Sequence, residues 1–373
     1  MKKVNFGMKQ YNYGKHSLSI TDYLAVLKTL HSDFLTCGPK VAEFEAALCK
    51  YTTAKYCVAV SSGTAALHLA MLALDLKAGD EVITSPLTFL ASANCILYIG
   101  ATPKFADIES DTANIDPIEI EKQITPKTRA IIPVHFAGQS CDMERIYQIA
   151  QKHNLFVIED GAHAIGSDYK ETKVGSCRFS TMTIFSFHPV KNITTAEGGA
   201  ITTNDEALYL KLCALRSHGT YKDGEMSNDW RYEMRALGFN YRLSDVQAAL
   251  GISQLKKIEK FKKRRREIVD FYNENLALPH LEEKSFSKAC FHLYPILLPD
   301  RGRFYKRAKE SGLNLQIHYI PLYKQPYYAQ FGFSATDYKN TETYYSKTIS
   351  LPLYPTLKDK DLKEIVKRIK VIL

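Results

Sequence analysis

Short apolar runs alternate with longer helical patterns from about Tyr56 to Asp160. The strand-like runs are YCVAV (56–60), DEVITS (80–85), TPKFADI (102–108), RAIIPVHF (129–136) and LFVIED (155–160), and the helix-like runs are GTAALHLAMLAL (63–74), LTFLASANCILYIG (87–100) and MERIYQIAQKHN (143–154). This rhythm predicts an α/β fold with a mainly parallel sheet, right-handed crossovers and helices on both faces. In such sheets, ligands bind at the carboxyl ends of the strands.

The pattern changes in the second half of the chain. Residues 244–276 form a long helical region that we expect to be kinked or broken near Gly251. We predict a large domain over residues 1–250, followed by a smaller α/β domain over residues 251–373. The remaining strand-like runs are FSTMTIFSF (179–187), GGAITT (198–203), HLYPILL (292–298) and LQIHYI (315–320).

Composition and charge narrow the range of partners. The chain is 45% hydrophobic and 24% charged, as is typical of a globular protein, and its 373 residues are enough for two domains with sizeable cores. The net charge of +9 suits nucleic acid, a membrane surface or an anionic small substrate. No RNP-like aromatic pattern or helix-turn-helix signature is present, so we do not expect nucleic acid. The densest basic run, residues 262–266, is interpreted as a solvated helix face.

Cysteine spacing and hydropathy argue against a metal-binding, disulfide-bonded, secreted or membrane-spanning protein. The eight cysteines include no C-x-x-C pair, so we expect reduced, mostly buried thiols and neither a metal site nor disulfides. The first residues lack an apolar signal region, and the stretch FLASANCILYIGA (89–101) is too short to span a bilayer. We therefore expect a cytoplasmic protein without a membrane partner.

A serine-rich turn joins the first strand-like run to a helix-like run. SSGTAAL (61–67) offers free N–H groups and the positive end of a helix dipole, Gly63 permits close approach, and Thr64 adds a hydroxyl. Such a turn can bind an anion. The plainer alternative is a Ser/Thr helix cap without a ligand.

Asp160 ends the very apolar run LFVIED. A carboxylate there is unfavourable unless a cation faces it, either magnesium in a nucleotide hydrolase or a protonated heterocycle. The hydrolase needs a phosphate loop, and G-x-x-x-x-G-K-[ST] does not occur in the chain. The heterocycle is therefore favoured.

Lys191 follows the apolar run TIFSF, in surroundings where a lysine amine becomes nucleophilic. Ser186 adds a hydroxyl five residues earlier. Taken alone, Lys191 would be interpreted as a solvated loop charge. If the three features converge on one ligand, that ligand has a phosphate, a cationic ring nitrogen and an aldehyde, and pyridoxal 5'-phosphate has all three.

In these residues and the motifs around them, the chain resembles the sugar-nucleotide aminotransferases of the DegT/DnrJ/StrS type, within the fold-type I pyridoxal-phosphate enzymes. The resemblance covers nearly the whole chain. It implies a transaminase, because family members that perform dehydration carry histidine in place of Lys191. The matching motifs, in order, are SSGTAALHLA, GDEVITSPLTFLASAN, VIEDGAHAIG, FSFHPVKNITTAEGGA, RSHG and GFNYRLSDVQAALGISQL.

The resemblance also implies roles for individual residues. Lys191 would hold the cofactor through its amine and then move the proton, and Asp160 would pair with the ring nitrogen. Gly63, Thr64 and Ser186 would hold the phosphate. These roles define the predicted catalytic and cofactor-binding site.

Four more residues are candidates for contacts with the cofactor or the substrate. Phe89 matches the residue that stacks on the cofactor, with ordinary core packing as the alternative. His163 matches the position beside the phenolic oxygen, with a surface histidine as the alternative. His318 and Tyr319 are candidates for the sugar-nucleotide side, with an aromatic strand packed on a helix as the alternative.

Asn240 matches an asparagine that a partner chain supplies to the cofactor phosphate in this family. The resemblance therefore implies a homodimer whose active sites are shared between two chains. Arg242, two positions on, is a candidate substrate contact. The alternative is a helix-entry segment capped by Ser244 or Asp245, which does not exclude the shared role.

Within the family, FSFHPVK, ITTAEGGA, RSHG, HLYPILL and QIHYIPLY are most similar to aminotransferases of the pseudaminic acid pathway. These enzymes move an amino group from glutamate to C4 of a UDP-linked 4-keto-6-deoxy-N-acetylhexosamine. The chain departs from them at Asn192, where they tend to have proline, and at the SSGT turn. Two alternatives stay open: the substrate is another UDP- or dTDP-linked keto sugar, or the protein is a pyridoxal enzyme that performs elimination. A non-catalytic protein is disfavoured by Lys191 and Asp160.

Overall fold

The computed structural model describes residues 9–222 and 230–373. The strands are β1 (Tyr11–Asn12), β2 (Tyr56–Val60), β3 (Glu81–Thr84), β4 (Thr102–Phe105), β5 (Thr128–Ile132), β6 (Phe156–Asp160), β7 (Asp168–Tyr169), β8 (Thr172–Lys173), β9 (Met182–Ser186), β10 (Gly199–Thr203), β11 (Thr220–Tyr221), β12 (Glu233–Met234), β13 (Ser287–Lys288), β14 (Tyr294–Leu297), β15 (Leu313–Asn314) and β16 (Thr348–Leu351). The helices are α1 (Ile20–Leu30), α2 (Pro39–Thr52), α3 (Gly63–Ala73), α4 (Ala91–Tyr98), α5 (Pro117–Gln123), α6 (Met143–His153), α7 (Glu206–Arg216), α8 (Asp245–Leu255), α9 (Ile258–Asn275), α10 (Arg301–Glu310), α11 (Lys339–Lys347) and α12 (Asp359–Ile372).

A seven-stranded central sheet has the order β2-β10-β9-β6-β5-β3-β4. Six of its strands point the same way, and β10 runs antiparallel to both neighbours, β2 and β9. The prediction of an α/β fold with a mainly parallel sheet is therefore confirmed. The carboxyl ends of the six strands lie along one edge of the sheet, which is where the sequence predicted a ligand.

Alternate side chains along β2 separate the two helical layers. Val58 and Val60 pack in the core formed with α3, α4 and α7, and Cys57 and Ala59 pack in the core formed with α2, α8 and α9. Burial of both faces explains why the strands are almost entirely apolar, since helices cover a parallel sheet on both sides.

A second core lies in the C-terminal half of the chain. The antiparallel pair β14 and β16 packs with α9, α10 and α12. Tyr11 of β1 belongs to the same core, because β1 pairs with β15. The first described residues therefore join the C-terminal half. The division into residues 1–250 and 251–373 stays a prediction.

The helical region over residues 244–276 breaks at a different place from the one predicted. The break lies at Lys256 and Lys257, between α8 and α9, and Gly251 lies inside α8. A Cβ at Gly251 would lie 2.7 Å from Cζ of Phe44. The glycine therefore permits close packing of α8 on α2 instead of breaking the helix.

The basic run over residues 262–266 is not a fully solvated helix face, so that interpretation was wrong in part. Arg265 is 1% exposed, and its guanidinium donates hydrogen bonds to the carbonyls of Phe291 and Leu353, each at 3.0 Å. Burial lowers the pKa of Arg265 to about 10. This cation joins α9 to the main chain of the C-terminal half.

The predicted strand over residues 315–320 was also wrong in its position. β15 ends at Asn314, and beyond it Gln316 forms an isolated bridge with Ser350. The residues that follow border the cleft described below.

All eight cysteines are free and five of them are buried. In the two described ranges, no helix has both the length and the apolar character needed to cross a membrane.

Candidate active site

A cleft of about 510 Å³ opens at the carboxyl edge of the sheet. Gly63 and Thr64 border it from the start of α3, Asp160 from the end of β6, and Ser186 from the end of β9. Lys191 borders it from the connection between β9 and β10. The three features singled out in the sequence therefore meet in one cleft, because strands β2, β6 and β9 point the same way.

The start of α3 is an anion-binding corner. Ser62 caps the helix, with its hydroxyl accepting the N–H of Ala65 at 3.0 Å. Within the described ranges, the N–H groups of Gly63 and Thr64 have no acceptor. A Cβ on Gly63 would lie 2.8 Å from Cβ of Ser186, so glycine allows β9 to approach this closely. The two free N–H groups, the hydroxyls of Thr64 and Ser186 and the dipole of α3 together suit a phosphate.

Asp160 is held from two sides. It is 4% exposed, its Oδ2 accepts the Ser92 hydroxyl at 2.6 Å, and its Oδ1 accepts the Ala162 N–H at 3.1 Å. Ser92 in turn shares a hydrogen bond of 2.8 Å with Thr88. Ser92 could not be identified from the sequence, because its contact with Asp160 depends on how α4 packs against the sheet.

The Lys191 side chain borders the cleft and is partly buried. Burial lowers the pKa of Lys191 to about 8, while the charge of Asp160 acts in the opposite direction. A lysine with this pKa is neutral in an appreciable fraction of molecules near neutral pH. It can therefore act as a nucleophile, which a solvated lysine does poorly.

Neutral imidazoles lie beside Lys191, among them those of His163 and His318. The Nε2 of His163 is 3.0 Å from the Tyr319 hydroxyl, and the Nδ1 of His318 is 2.9 Å from the Ser350 hydroxyl. Burial, reinforced by the charge of Lys191, holds the pKa of His163 well below its usual range and lowers that of His318 to about 3. The alternative of a surface position for His163 is therefore wrong, since the residue is buried.

Phe89 presents an open aromatic face to the cleft. It is 56% exposed, and its ring centroid lies 6.2 Å from that of Tyr319. Core packing, the alternative for this residue, is therefore wrong. His318 and Tyr319 border the same cleft, in irregular chain and not in a strand packed on a helix.

Asn240 and Arg242 do not border the cleft of their own chain. Asn240 is exposed, and Arg242 donates a hydrogen bond to the Ser217 hydroxyl at 3.2 Å. The segment is fixed beside the anion-binding corner, since the Ser61 N–H donates to the carbonyl of Tyr241 at 2.8 Å.

The cleft residues that the sequence analysis did not single out include Tyr13 and His292, besides Ser92. Tyr13 comes from the N-terminal segment, where its ring lies edge-on to His318 with centroids 4.9 Å apart. His292 comes from the C-terminal half, and its ring centroid is 4.4 Å from that of His163. The family motif HLYPILL contains His292, but nothing in that run indicates which way its side chain points.

Pyridoxal 5'-phosphate fits these residues. The anion-binding corner matches its phosphate, the buried carboxylate of Asp160 matches its ring nitrogen, and the Lys191 amine matches its aldehyde. The exposed face of Phe89 suits a planar ring. His163 and His318 are neutral and therefore add no charge beside this cofactor.

This fold with this site defines a pyridoxal-phosphate-dependent aminotransferase of fold type I. The profile of the DegT/DnrJ/EryC1/StrS aminotransferase family matches residues 18–370, and the chain belongs to this family. Aminotransferases of this family act on nucleotide-linked sugars and take the amino group from glutamate.

Relatives with different names have nearly equal similarity to the chain. It is 41% identical to the spore coat polysaccharide biosynthesis protein SpsC of Bacillus subtilis, over 93% of each chain. It is 40% identical to a UDP-4-amino-4,6-dideoxy-N-acetyl-beta-L-altrosamine transaminase of Campylobacter jejuni, over 94% of each chain. Its fold matches Helicobacter pylori PseC, an aminotransferase involved in the biosynthesis of pseudoaminic acid, with a TM-score of 0.92 and 35% identity over 98% of this chain and 99% of that one.

Proposed function

We propose that this protein moves the amino group of glutamate to C4 of a UDP-linked 4-keto-6-deoxy-N-acetylhexosamine, as a step of pseudaminic acid biosynthesis in the cytoplasm. The observation that carries the proposal is the match to the Campylobacter transaminase and to PseC over nearly the whole of each chain. A second candidate is another UDP- or dTDP-linked keto sugar. The similar identity to SpsC, together with Asn192 and the SSGT turn, favours it.

In this proposal, Lys191 holds the cofactor and then carries the proton that moves during transamination. Among the described residues that border the cleft, Lys191 alone carries an amine. Its lowered pKa lets Nζ both accept and release a proton near neutral pH. When bound, pyridoxal phosphate supplies the electron sink for the carbon that loses its proton.

The other residues would orient the cofactor. Asp160 holds a proton on the ring nitrogen, because a carboxylate with two fixed donors stays in place as an acceptor. Gly63, Thr64 and Ser186 would hold the phosphate, and the exposed ring of Phe89 would contact the planar ring of the cofactor. His163, fixed by the Tyr319 hydroxyl, donates to or accepts from the phenolic oxygen.

Asn240 and Arg242 serve the cleft of a partner chain in a two-fold homodimer. Their position outside their own cleft supports this arrangement. So does the exposed apolar face of α1, on which Ile20, Leu24 and Leu27 are each more than half exposed. Faces of this kind are usually covered by a partner.

The substrate is tested with the pyridoxamine form of the enzyme. Glutamate should convert the loaded enzyme to this form, which separates transamination from elimination. A panel of 4-keto nucleotide sugars is then added, and the visible absorbance of the aldehyde form should return fastest with the UDP-linked 4-keto-6-deoxy-N-acetylhexosamine. A faster return with a different sugar or with a dTDP sugar would favour the second candidate and contradict the first.

The lysine assignment and the dimer are tested with variants. Lys191→Ala should keep the fold and lose turnover by several orders of magnitude, and borohydride should fix the cofactor to Lys191 in the wild type. Co-expression of inactive Lys191→Ala with an impaired Asn240→Ala should leave about a quarter of all sites intact and restore activity. If heterodimers form and activity does not recover, Lys191 and Asn240 belong to the active site of the same chain, and the shared-site proposal is wrong.

A further inference from the structure

The side chain of Asn192, next to Lys191, is buried against three main-chain carbonyls. Asn192 is 3% exposed. Its Nδ2 lies 2.8 Å from the oxygen of Cys290, 3.2 Å from that of Ile165 and 3.3 Å from that of His163. The three carbonyls belong to two segments that are more than a hundred residues apart in the chain, and both segments carry residues of the cleft.

The neighbours of this amide fix its orientation. The reversed orientation would place Oδ1 against three carbonyl oxygens, so the donor Nδ2 must face them. Within the part of the chain that the structure describes, none of the three carbonyls has another hydrogen-bond donor. Two N–H groups therefore serve three buried acceptors, and a side chain without a donor would leave all three unsatisfied.

The segments joined by Asn192 carry two histidines of the cleft. His163 lies on the turn after β6, and Cys290 lies two residues before His292. Both imidazoles are buried, and neither Nδ1 has a partner among the described residues. Asn192 is thus the point where the Lys191 turn, the turn after β6 and the C-terminal half of the chain meet.

We propose that Asn192 is a positioning residue for the aminotransferase, whose amide fixes the Lys191 turn against the segments of His163 and His292. The main chain at Lys191 cannot shift toward solvent without breaking these hydrogen bonds, because the two residues are adjacent. The inference rests on the role proposed above for Lys191 as the amine that holds the cofactor. It assigns to Asn192 the task of keeping that amine buried in the cleft.

The protonation of Lys191 reports its position independently of turnover. Burial lowers its pKa from 10.5 to about 8. If the turn moves toward solvent, the burial decreases and the pKa rises toward its ordinary value. The titratable groups that face this amine from the surrounding elements are Asp160, His163, His292 and His318.

The test labels the cofactor-free protein with an amine-reactive acylating reagent over a range of pH and follows the Lys191 peptide by mass spectrometry. In the wild type, the labelling midpoint should lie near pH 8. In Asn192→Ala the midpoint should rise, and each unit of rise lowers the labelling of Lys191 at pH 7 by about tenfold.

Asn114→Ala is the matched control variant. Asn114 is also buried and does not border the cleft. Its Nδ2 donates to the carbonyls of Gln139 at 3.3 Å and Ser140 at 3.1 Å, and its Oδ1 accepts the Phe136 N–H at 2.9 Å. Its loss should lower the melting temperature and leave the Lys191 midpoint in place. The control thereby distinguishes a general loss of stability, which lowers only the melting temperature, from a displacement of the Lys191 amine, which also changes the labelling midpoint.

A lower melting temperature in Asn192→Ala with an unchanged Lys191 midpoint would make Asn192 merely structural and overturn the proposal. If that variant does not fold, Asn192→Ser replaces it, because a hydroxyl can serve one of the carbonyls. Its midpoint should lie above that of the wild type, and an unchanged value overturns the proposal equally. Failure of the wild type to transaminate any sugar would refute the proposed function and leave the labelling result standing.

Discussion

The hydrogen bond between Ser92 and Asp160 provides a sharp test of how the site works. Ser92→Ala removes the hydroxyl that donates to Oδ2 at 2.6 Å and leaves the Ala162 N–H as the remaining donor to this carboxylate. The carboxylate then has one donor fewer and is less well fixed. It should therefore hold the proton on the cofactor's ring nitrogen less well.

The size of the effect follows from the kind of hydrogen bond. A hydrogen bond to a charged group contributes about 1.5–3 kcal/mol, and a barrier change of about 1.4 kcal/mol alters a rate tenfold. If the whole contribution acted on the reaction barrier, the half-reaction with glutamate would slow by between about 10-fold and 150-fold. We expect a value near the lower end, because the Ala162 N–H still orients Asp160.

The assay is a stopped-flow measurement of the half-reaction with glutamate, with cofactor affinity determined separately. Thr88→Val is a matched control, since it removes the hydroxyl that partners Ser92 and keeps the contact of Ser92 with Asp160. The control should slow the half-reaction less than Ser92→Ala does. A wild-type rate in Ser92→Ala, or an equal loss in both variants, would refute the reasoning.

Three further outcomes are expected. Gly63→Ala should weaken cofactor binding at least tenfold, measured by equilibrium titration, because the new Cβ would lie 2.8 Å from Cβ of Ser186. Capture of pyridoxal phosphate by the cofactor-free protein should become about tenfold faster from pH 7 to pH 9 and then level off, because deprotonation above a pKa of about 8 leaves the Lys191 amine neutral; a rate still rising at pH 10 would contradict this. Asp160→Asn should slow the glutamate half-reaction more than it weakens cofactor binding, and equal losses would make Asp160 structural.

The convergence of the site could be predicted from the sequence because parallel strands share one carboxyl edge. Gly63, Asp160 and Lys191 each follow a strand-like run, and that information is local. The direction of β10 is not local, since an apolar run is compatible with either orientation. The contact of Ser92 with Asp160 is not local either, because it depends on how α4 packs against the sheet.

The misinterpretation of the basic run on α9 has a different cause. Arg265 lies four residues after Phe261 and three before Ile268, so helical spacing places all three on one face. The charge of the run alone predicts a solvated face, whereas the helical periodicity of the same residues identifies the buried cation. The break at Lys256 and Lys257, by contrast, has no proline or glycine that could have indicated it.

The reversed strand β10 limits how this enzyme could be redesigned. Because β9 and β10 are antiparallel neighbours in which Ser186 pairs with Gly199, the segment over residues 187–198 leaves and re-enters the same edge of the sheet. Lys191 therefore lies on a closed loop of fixed length. A residue inserted before Lys191 would displace the amine while Ser186 stayed in place, so grafting this lysine onto another scaffold requires the whole loop and both of its strands.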